Sequence, residues 1–264
     1  MTRLRALLAV ALVLPLAGCL DGPLRTYEVT VTDGPGGPAV AGALLTVDPT
    51  WGRERTLRAD EAGRATLTAR RPYVVVEADG YLPETYQLGR ETRPDLPIFR
   101  ATMALALDGS LAGGDVGTQG TPLPDRWDAQ EVPFGATREA QRAYASRLQA
   151  LHVTLTWNNT LLGGAGDLGI GLGPSADDLV LWHDGEQAQL AQGPQREEAR
   201  FTLRDFGREW QDAEGLWAGA AAGKAYASAT GLAYTLALVA TFGPPHGAPA
   251  LAMAGVVALL LAAL

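Results

Sequence analysis

This chain of 264 residues is poor in the side chains from which disulfides, metal sites and hydrolytic centres are built. It contains one cysteine, Cys19, and three histidines. A single cysteine excludes an intramolecular disulfide, so the fold must be stabilised by a packed core. The histidines, His152, His183 and His246, leave little material for a nucleophile with its base or for a histidine-ligated metal. The sequence therefore predicts a protein that is not an enzyme and has no cofactor.

Lysine is nearly absent as well. Lys224 is the one lysine, and the formal net charge of the chain is -8 at pH 7. Nucleic-acid binding needs a basic stripe, whereas an acidic surface repels phosphate backbones. We therefore exclude nucleic acid as a partner.

The cysteine stands at the end of an N-terminal export signal. Arg3 and Arg5 precede an apolar run that is too short to span a bilayer, and Leu16-Ala17-Gly18 leads directly into Cys19. These four residues and their position resemble the lipobox of prokaryotic lipoproteins. The resemblance implies cleavage before Cys19, lipidation of its thiol and an outward-facing location at the cell membrane. The alternative is an ordinary secretory signal with an incidental cysteine.

The C-terminal segment 248–264 is a second membrane signal, because it carries no charge and reaches the lower length limit of a spanning helix. Its alternatives are a tail removed during surface anchoring and a buried helix. Gly and Pro residues at 243–249 interrupt both helix and strand patterns, which argues against the buried helix. We expect a C-terminal transmembrane segment.

Between the two ends, the pattern indicates an all-β protein of two domains. Residues 26–107 alternate with period two and are punctuated by turns such as Asp60-Glu61-Ala62-Gly63. Together with Val75-Val76-Glu77-Ala78-Asp79-Gly80-Tyr81, they resemble the carboxypeptidase regulatory-like, transthyretin-like domain. The resemblance implies a small β-sandwich without an active site. Gly63 and Gly80 are expected to adopt positive φ in its turns.

A second unit is predicted after a segment rich in Gly and Pro. Its first strand starts at Leu151, where apolar and polar residues alternate, and further short strands follow without a long amphipathic helix. The stretch 137–149 fits a helix or an irregular lead. The order of the Trp157 strand, Gly166-Asp167-Leu168, Gly215-Leu216-Trp217 and the last strand resembles the jelly-roll accessory domains of secreted peptidases, namely the prepeptidase C-terminal and P-type domains.

The predicted division of the chain has six parts. They are the signal peptide 1–18, a tether 19–25, the transthyretin-like sandwich 26–107, a linker 108–136, the jelly-roll-like sandwich 137–243, and a hinge with the transmembrane segment at 244–264.

Few side chains qualify as sites besides Cys19. Asn158 is the acceptor of the sequon Asn158-Asn159-Thr160, and its glycosylation depends on the organism. The acidic cluster that holds calcium in the second resembled family is thin here. Asp167, Asp177 and Asp178 are the calcium candidates, but without ligand spacing they predict no metal site. His183 and Asp184 are adjacent on a strand and thus face opposite ways.

These observations favour a non-catalytic, membrane-anchored surface lipoprotein that serves in binding, adhesion or envelope structure. Its expected partners are the membrane and either an envelope protein or a glycan. The alternative is an accessory subunit of a secreted or membrane-bound peptidase, because both resembled domain types accompany such enzymes.

Overall fold

The structure is a computed structural model that describes most of the chain between Leu24 and Pro245. The described residues are 24–47, 55–70, 72–111, 127–159, 168–177, 179, 181–183, 193–202, 205, 215–222 and 232–245. The chain divides into two compact units, residues 1–98 and 99–264. Both units are built from β-strands, as the sequence predicts.

The first unit contains two four-stranded sheets. In chain order its strands are β1 (Arg25–Asp33), β2 (Leu44–Val47), β3 (Arg55–Arg58), β4 (Arg64–Ala69), β5 (Tyr73–Glu77), β6 (Tyr81–Leu82), β7 (Glu84–Gln87) and β8 (Asp95–Arg100). The strand order is β4-β1-β8-β6 in one sheet and β3-β2-β5-β7 in the other. The β1 and β8 strands run parallel, whereas the paired strands of the second sheet are antiparallel.

The core of this unit follows from the period-two pattern. In β1, Tyr27, Val29 and Val31 are fully buried, while Glu28 between them is exposed. The buried residues of both sheets form one hydrophobic cluster, which includes Leu45 and Val76 from the second sheet. Apolar side chains at alternate positions therefore hold the two sheets face to face.

Two turn glycines of this unit behave as the sequence predicts. Gly63 has a φ of 69° and Gly80 a φ of 81°, a region that only glycine enters without strain. The turn before β4 is completed by Asp60, whose carboxylate accepts the main-chain N–H groups of Ala62 at 2.9 Å and Arg64 at 2.8 Å.

The second unit also has two four-stranded sheets. Its remaining elements are β9 (Thr102–Leu111), β10 (Trp127–Glu131), α1 (Arg138–Ala145), β11 (Leu148–Asn159), β12 (Leu168–Gly173), β13 (Leu181–His183), β14 (Gly193–Thr202), β15 (Trp217–Ala222) and β16 (Leu232–Phe242). One sheet has the order β10-β15-β12-β13 and the other the order β14-β11-β16-β9.

The pairs in this unit are nested along the chain. The first strand pairs with the last, β9 with β16, and inside that pair lie β10 with β15, β11 with β14 and β12 with β13, all antiparallel. This nesting, with the pairs divided between two sheets, is the strand order of a jelly roll. The strand pattern predicts a sandwich or a jelly roll for this unit, and its strand order is that of a jelly roll.

Helix α1 closes one end of this unit. Thr137 caps it by accepting the N–H of Ala140 at 3.0 Å, and Tyr144 on the buried face meets Phe242 at a centroid distance of 4.9 Å. The stretch 137–149 therefore contains a short helix. Strand β11 begins at Leu148, before the predicted start at Leu151.

The division of the chain differs from the predicted one. The boundary lies after Ile98 instead of after residue 107, because β9 pairs along its length with β16 of the second unit. Within the predicted linker 108–136, residues 108–111 belong to β9 and 127–131 form β10, while Val132 and Phe134 are buried. The rest of the predicted linker consists of 132–136, which follow β10 outside any helix or strand, and of 112–126, which are not among the described residues.

The predicted signal peptide, the tether up to residue 23 and the segment 246–264 lie outside the described residues. In the part of the chain that the structure describes, no helix is long and apolar enough to cross a bilayer.

Candidate binding site

A shallow groove lies at one end of the β14-β11-β16-β9 sheet. Its volume is about 610 Å³, and its lining comes from all four strands. Because the register joins Arg196 to Thr156, Thr156 to Thr235 and Thr235 to Asp108, these four side chains form one row across the sheet. Asn158 belongs to the next row along β11, opposite Pro194. We call these five side chains, Asp108, Thr156, Asn158, Arg196 and Thr235, the polar row.

Hydrogen bonds already fix part of the polar row. The Thr235 hydroxyl donates to Asp108 Oδ1 at 2.6 Å, and the Thr156 hydroxyl donates to the Thr235 carbonyl at 3.4 Å. Arg196 forms an ion pair with Glu198, its neighbour on the same face of β14. The row therefore has a guanidinium at one side of the sheet and a carboxylate at the other.

The wall behind the row is aromatic and buried. Trp157 is 6% exposed and Tyr234 is 3% exposed, and both lie on the inward side of the sheet. The Tyr234 hydroxyl donates to Asp128 Oδ2 at 2.8 Å, and the same carboxylate oxygen accepts the N–H of Ser110 at 3.1 Å. This link joins β10 of one sheet to β9 and β16 of the other.

Gly109 is required for that wall. A Cβ at this position would lie 2.3 Å from both Cζ and the hydroxyl oxygen of Tyr234, and 2.6 Å from Asp128 Oδ2. The absence of a side chain lets the tyrosine ring cover the glycine and reach the carboxylate. Desolvation by burial, followed by the hydrogen bond to Asp128 and the charge of that carboxylate, raises the pKa of Tyr234 well above its ordinary value.

Side chains of β10 also form hydrogen bonds with main-chain groups on the edge of β9 that faces away from β16. Gln130 Nε2 donates to the Asp108 carbonyl at 2.8 Å, next to the Asp128–Ser110 contact. An edge strand otherwise offers its main-chain groups to other chains. The groove end of β9 is thus protected from strand addition.

The polar row offers chemistry for binding rather than for bond cleavage. Guanidinium, amide and hydroxyl groups are followed by one carboxylate acceptor at the β9 side, and neighbouring strands space the groups of the row by about 4.8 Å. An extended hydroxyl-rich ligand that lies across the strands would meet a new polar group at each strand.

The structure places few of the predicted site residues in this groove. Asn158 lines it and is exposed, and it lies within β11 because the pairing with β14 continues through Asn159. Asp177 is exposed in a turn. Cys19, Asp167 and Asp178 lie outside the described residues. Among the described side chains, no group of three or more metal-ligating residues is close enough to hold an ion.

The two histidines among the described residues, His152 and His183, have carboxylate neighbours. His152 Nε2 lies 3.6 Å from Glu198 on the exposed face, and His183 Nε2 lies 2.9 Å from Glu197. The second contact joins edge strand β13 of one sheet to edge strand β14 of the other. It places His183 at the margin of the sandwich and away from the groove.

Sequence reasoning missed most of the polar row. Asp108 was assigned to the linker, and Thr156, Thr235 and Arg196 stand in unremarkable alternating strands. The one local signal was the outward position of Thr156 and Asn158 in β11. Their convergence depends on pairings between strands far apart in the sequence.

Comparisons with known proteins do not assign a family. No family model matches the chain, and no curated protein matches it significantly. A solved DUF3823 family protein from Bacteroides ovatus aligns at 10% identity, over 83% of this chain and 100% of that chain, with a TM-score of 0.23. BcpA, the major pilin subunit of Bacillus cereus, aligns at 13% identity, over 86% of this chain and 61% of that chain, with a TM-score of 0.31.

The coat protein of Tobacco streak virus aligns at 10% identity over 56% of this chain and 94% of that chain, with a TM-score of 0.27. TM-scores this low do not establish a shared fold. The all-β class of this protein therefore rests on its own strands and their pairing. The predicted resemblances to the regulatory-like, prepeptidase C-terminal and P-type domains stay predictions.

Proposed function

We propose that this chain is a non-catalytic lipoprotein, anchored to the outer face of the cell membrane, whose two β-sandwiches serve as a binding module of the envelope. The observation that carries the proposal is the lipobox at Leu16–Cys19. Five residue steps separate Cys19 from Leu24, the residue before β1, so the acylated residue and Leu24 lie within about 18 Å of each other. Two acyl chains supply lasting attachment where one would be marginal.

The polar row is the proposed ligand site, and a neutral, hydroxyl-rich glycan of the envelope is the proposed ligand. Its donors and acceptor match the hydroxyl groups of a sugar, which both donate and accept hydrogen bonds. Asn158 connects this proposal to the sequon, because a glycan attached to Asn158 would occupy the groove that it lines. We therefore expect Asn158 to be unmodified in the binding-competent protein.

The anchor is tested by metabolic labelling in the native host with an alkyne-tagged fatty acid. We expect label on the wild-type protein and none on Cys19→Ser, and we expect external protease to digest the wild-type protein on intact cells. Equal labelling of both proteins, or protection from external protease, would contradict the proposal.

The ligand site is tested by calorimetric titration of the purified protein with a soluble N-acetylglucosamine oligomer. Arg196→Gln and Asn158→Ala should weaken binding about fivefold to tenfold each, which corresponds to the loss of about one hydrogen bond. Arg200→Gln is the matched control, since Arg200 lies on the same strand and exposed face but outside the groove. Equal effects of Arg196→Gln and Arg200→Gln would contradict the assignment.

A further inference from the structure

The first unit has arginines at the end where the chain enters from the tether. We define the anchor-proximal end by six side chains of this unit: Leu24, Arg25, Arg55, Arg70, Tyr73 and Arg90. Arg25 is half-buried and the other five are exposed. Glu91 is the acidic neighbour on the same loop as Arg90, and it is exposed as well.

The strand register and hydrogen bonds bring these residues to one end. Arg25 pairs with Ala69, so Arg70 follows directly beside it, and Arg25 Nη1 donates to the Arg90 carbonyl at 2.9 Å. Arg55 Nη2 donates to the Thr68 carbonyl at 2.8 Å.

The second sheet reaches the same end through Val47, which pairs with both Arg55 and Val74. Tyr73, the residue before Val74, therefore lies at this end too. The carbonyls that Arg25 and Arg55 bind carry no net charge, and these contacts leave further N–H donors on each guanidinium.

The opposite end of this unit is acidic. Asp33 ends β1 there, Asp60 and Glu61 form the turn before β4, and Glu77 ends β5. Asp79 follows in the next turn. Arg58 and Arg64 are the basic residues at that end, and between the two ends Arg93 is paired with Glu28 at 2.9 Å. The described charges of this unit are therefore polarised, with the basic end toward the tether, although the chain as a whole is acidic.

Exposed apolar side chains accompany the arginines. Leu24 is 63% exposed and Tyr73 is 46% exposed, and they are the large hydrophobic residues exposed to solvent in the described part of this unit. Arginine beside an exposed aliphatic side chain and a tyrosine is the composition that settles at the boundary between lipid headgroups and water.

From these observations we infer that the anchor-proximal end docks on the headgroups of anionic lipids in the membrane that holds the acyl anchor. The inference rests on the proposed lipidation of Cys19, because the short tether keeps this end within reach of the bilayer. Arginine fits phosphate through paired N–H donors, and each arginine near an anionic surface strengthens attraction about fivefold. Docking would hold the first sandwich upright, with its acidic end directed away from the membrane.

The test uses the full acylated protein in vesicles of phosphatidylcholine, with or without phosphatidylglycerol. Lipidation blocks the native thiol, so Thr92→Cys and Ala62→Cys each introduce one site for a fluorophore. Thr92 lies on the Arg90 loop, whereas Ala62 is exposed at the acidic end. Nitroxide-bearing lipids in the vesicles then quench a fluorophore that lies at the headgroups.

We expect strong quenching at position 92 in vesicles with phosphatidylglycerol, weak quenching at position 62, and loss of the difference at high salt. Arg25→Gln combined with Arg90→Gln should lower the ratio of docked to undocked protein about 25-fold. The control pair, Arg58→Gln with Arg64→Gln, removes the same charge from the acidic end and should change nothing. Circular dichroism checks that both variants fold.

Equal quenching at both positions, or quenching at position 92 that ignores lipid charge and salt, would overturn the docking proposal and leave the lipoprotein assignment intact. A purified protein without acyl chains would overturn both. The salt dependence of the quenching is measured on the protein with all of its arginines. It therefore tests docking even if an arginine variant folds poorly.

Discussion

Replacing Tyr234 by phenylalanine tests how the two sheets of the second unit are joined. The substitution keeps the ring over Gly109 and removes only the hydroxyl that donates to Asp128 Oδ2 at 2.8 Å. The carboxylate then still accepts the Ser110 N–H. A hydrogen bond to a charged group contributes about 1.5–3 kcal/mol, so Tyr234→Phe should lower the free energy of unfolding of this unit by that amount at pH 7.

The pH dependence of this loss gives a sharper test. Burial and Asp128 raise the pKa of Tyr234 in the folded protein, so above about pH 10 the unfolded chain ionises its tyrosine while the folded protein does not. Deprotonation then favours the unfolded state, and the contribution of the tyrosine falls by about 1.4 kcal/mol for each pH unit above 10. Phenylalanine does not ionise, so it makes no pH-dependent contribution to the stability of the variant. The stability difference between the two proteins should therefore be constant below pH 9 and shrink by about 1.4 kcal/mol at pH 11.

Chemical denaturation followed by tryptophan fluorescence at several pH values measures this difference. Comparing the two proteins at each pH cancels the titration of the other tyrosines. A loss below about 0.5 kcal/mol at pH 7, or a difference that stays constant up to pH 11, would refute the view that a buried hydroxyl–carboxylate bond joins the sheets.

Three further predictions concern the close contacts of two turn or strand glycines and the hydrogen bonds of one buried glutamine. Gly109→Ala places a Cβ 2.3 Å from the Tyr234 ring, and denaturation should show a loss of about 1–3 kcal/mol or more; an unchanged midpoint would refute the contact. Gly63→Ala should cost more than Gly80→Ala, because both have positive φ but only the first brings a Cβ to 2.8 Å from a main-chain oxygen; equal thermal shifts would contradict this. Gln141→Leu removes two bonds to main-chain groups, at 2.7 and 2.8 Å, and should cost about 2–4 kcal/mol in the same assay; a loss below 1 kcal/mol would contradict the arrangement.

The alternation of apolar and polar residues predicted the strands well where it extends over many positions. The alternation in β1 and β11 is long and regular, and the apolar residues that it selects are buried, although Thr32 and Asp33 at the end of β1 are buried as well. The turn glycines were also predicted correctly, because a tight turn with positive φ depends on a few consecutive residues. Many short strands without a long helix predicted that the second unit is a sandwich or a jelly roll, but not which of the two.

The sequence did not predict which strands far apart in the chain pair with each other. The β9 strand pairs with β16, and their first contact, between Thr102 and Thr241, spans more than half of the chain. The residues within a strand do not indicate whether it pairs with strands of the preceding unit or with strands of the next one. For this reason the predicted boundary fell after residue 107 and not after Ile98, and Asp108 was interpreted as linker when it borders the groove.

Buried polar contacts were missed for the same reason. Asp128 lies in a stretch interrupted by Gly and Pro, and its partner Tyr234 follows more than a hundred residues later. Likewise, the basic end of the first unit is scattered over positions 25, 55, 70 and 90, so composition alone shows only an acidic chain. The folded register turns these scattered arginines into one surface.

The proposed function depends on Cys19 becoming the acylated first residue of a surface protein. Intact mass spectrometry of the protein purified from native membranes tests this most directly. We expect a mass that lacks residues 1–18 and includes acyl additions on Cys19. A mass that retains the leader, with a free thiol at Cys19, would contradict it.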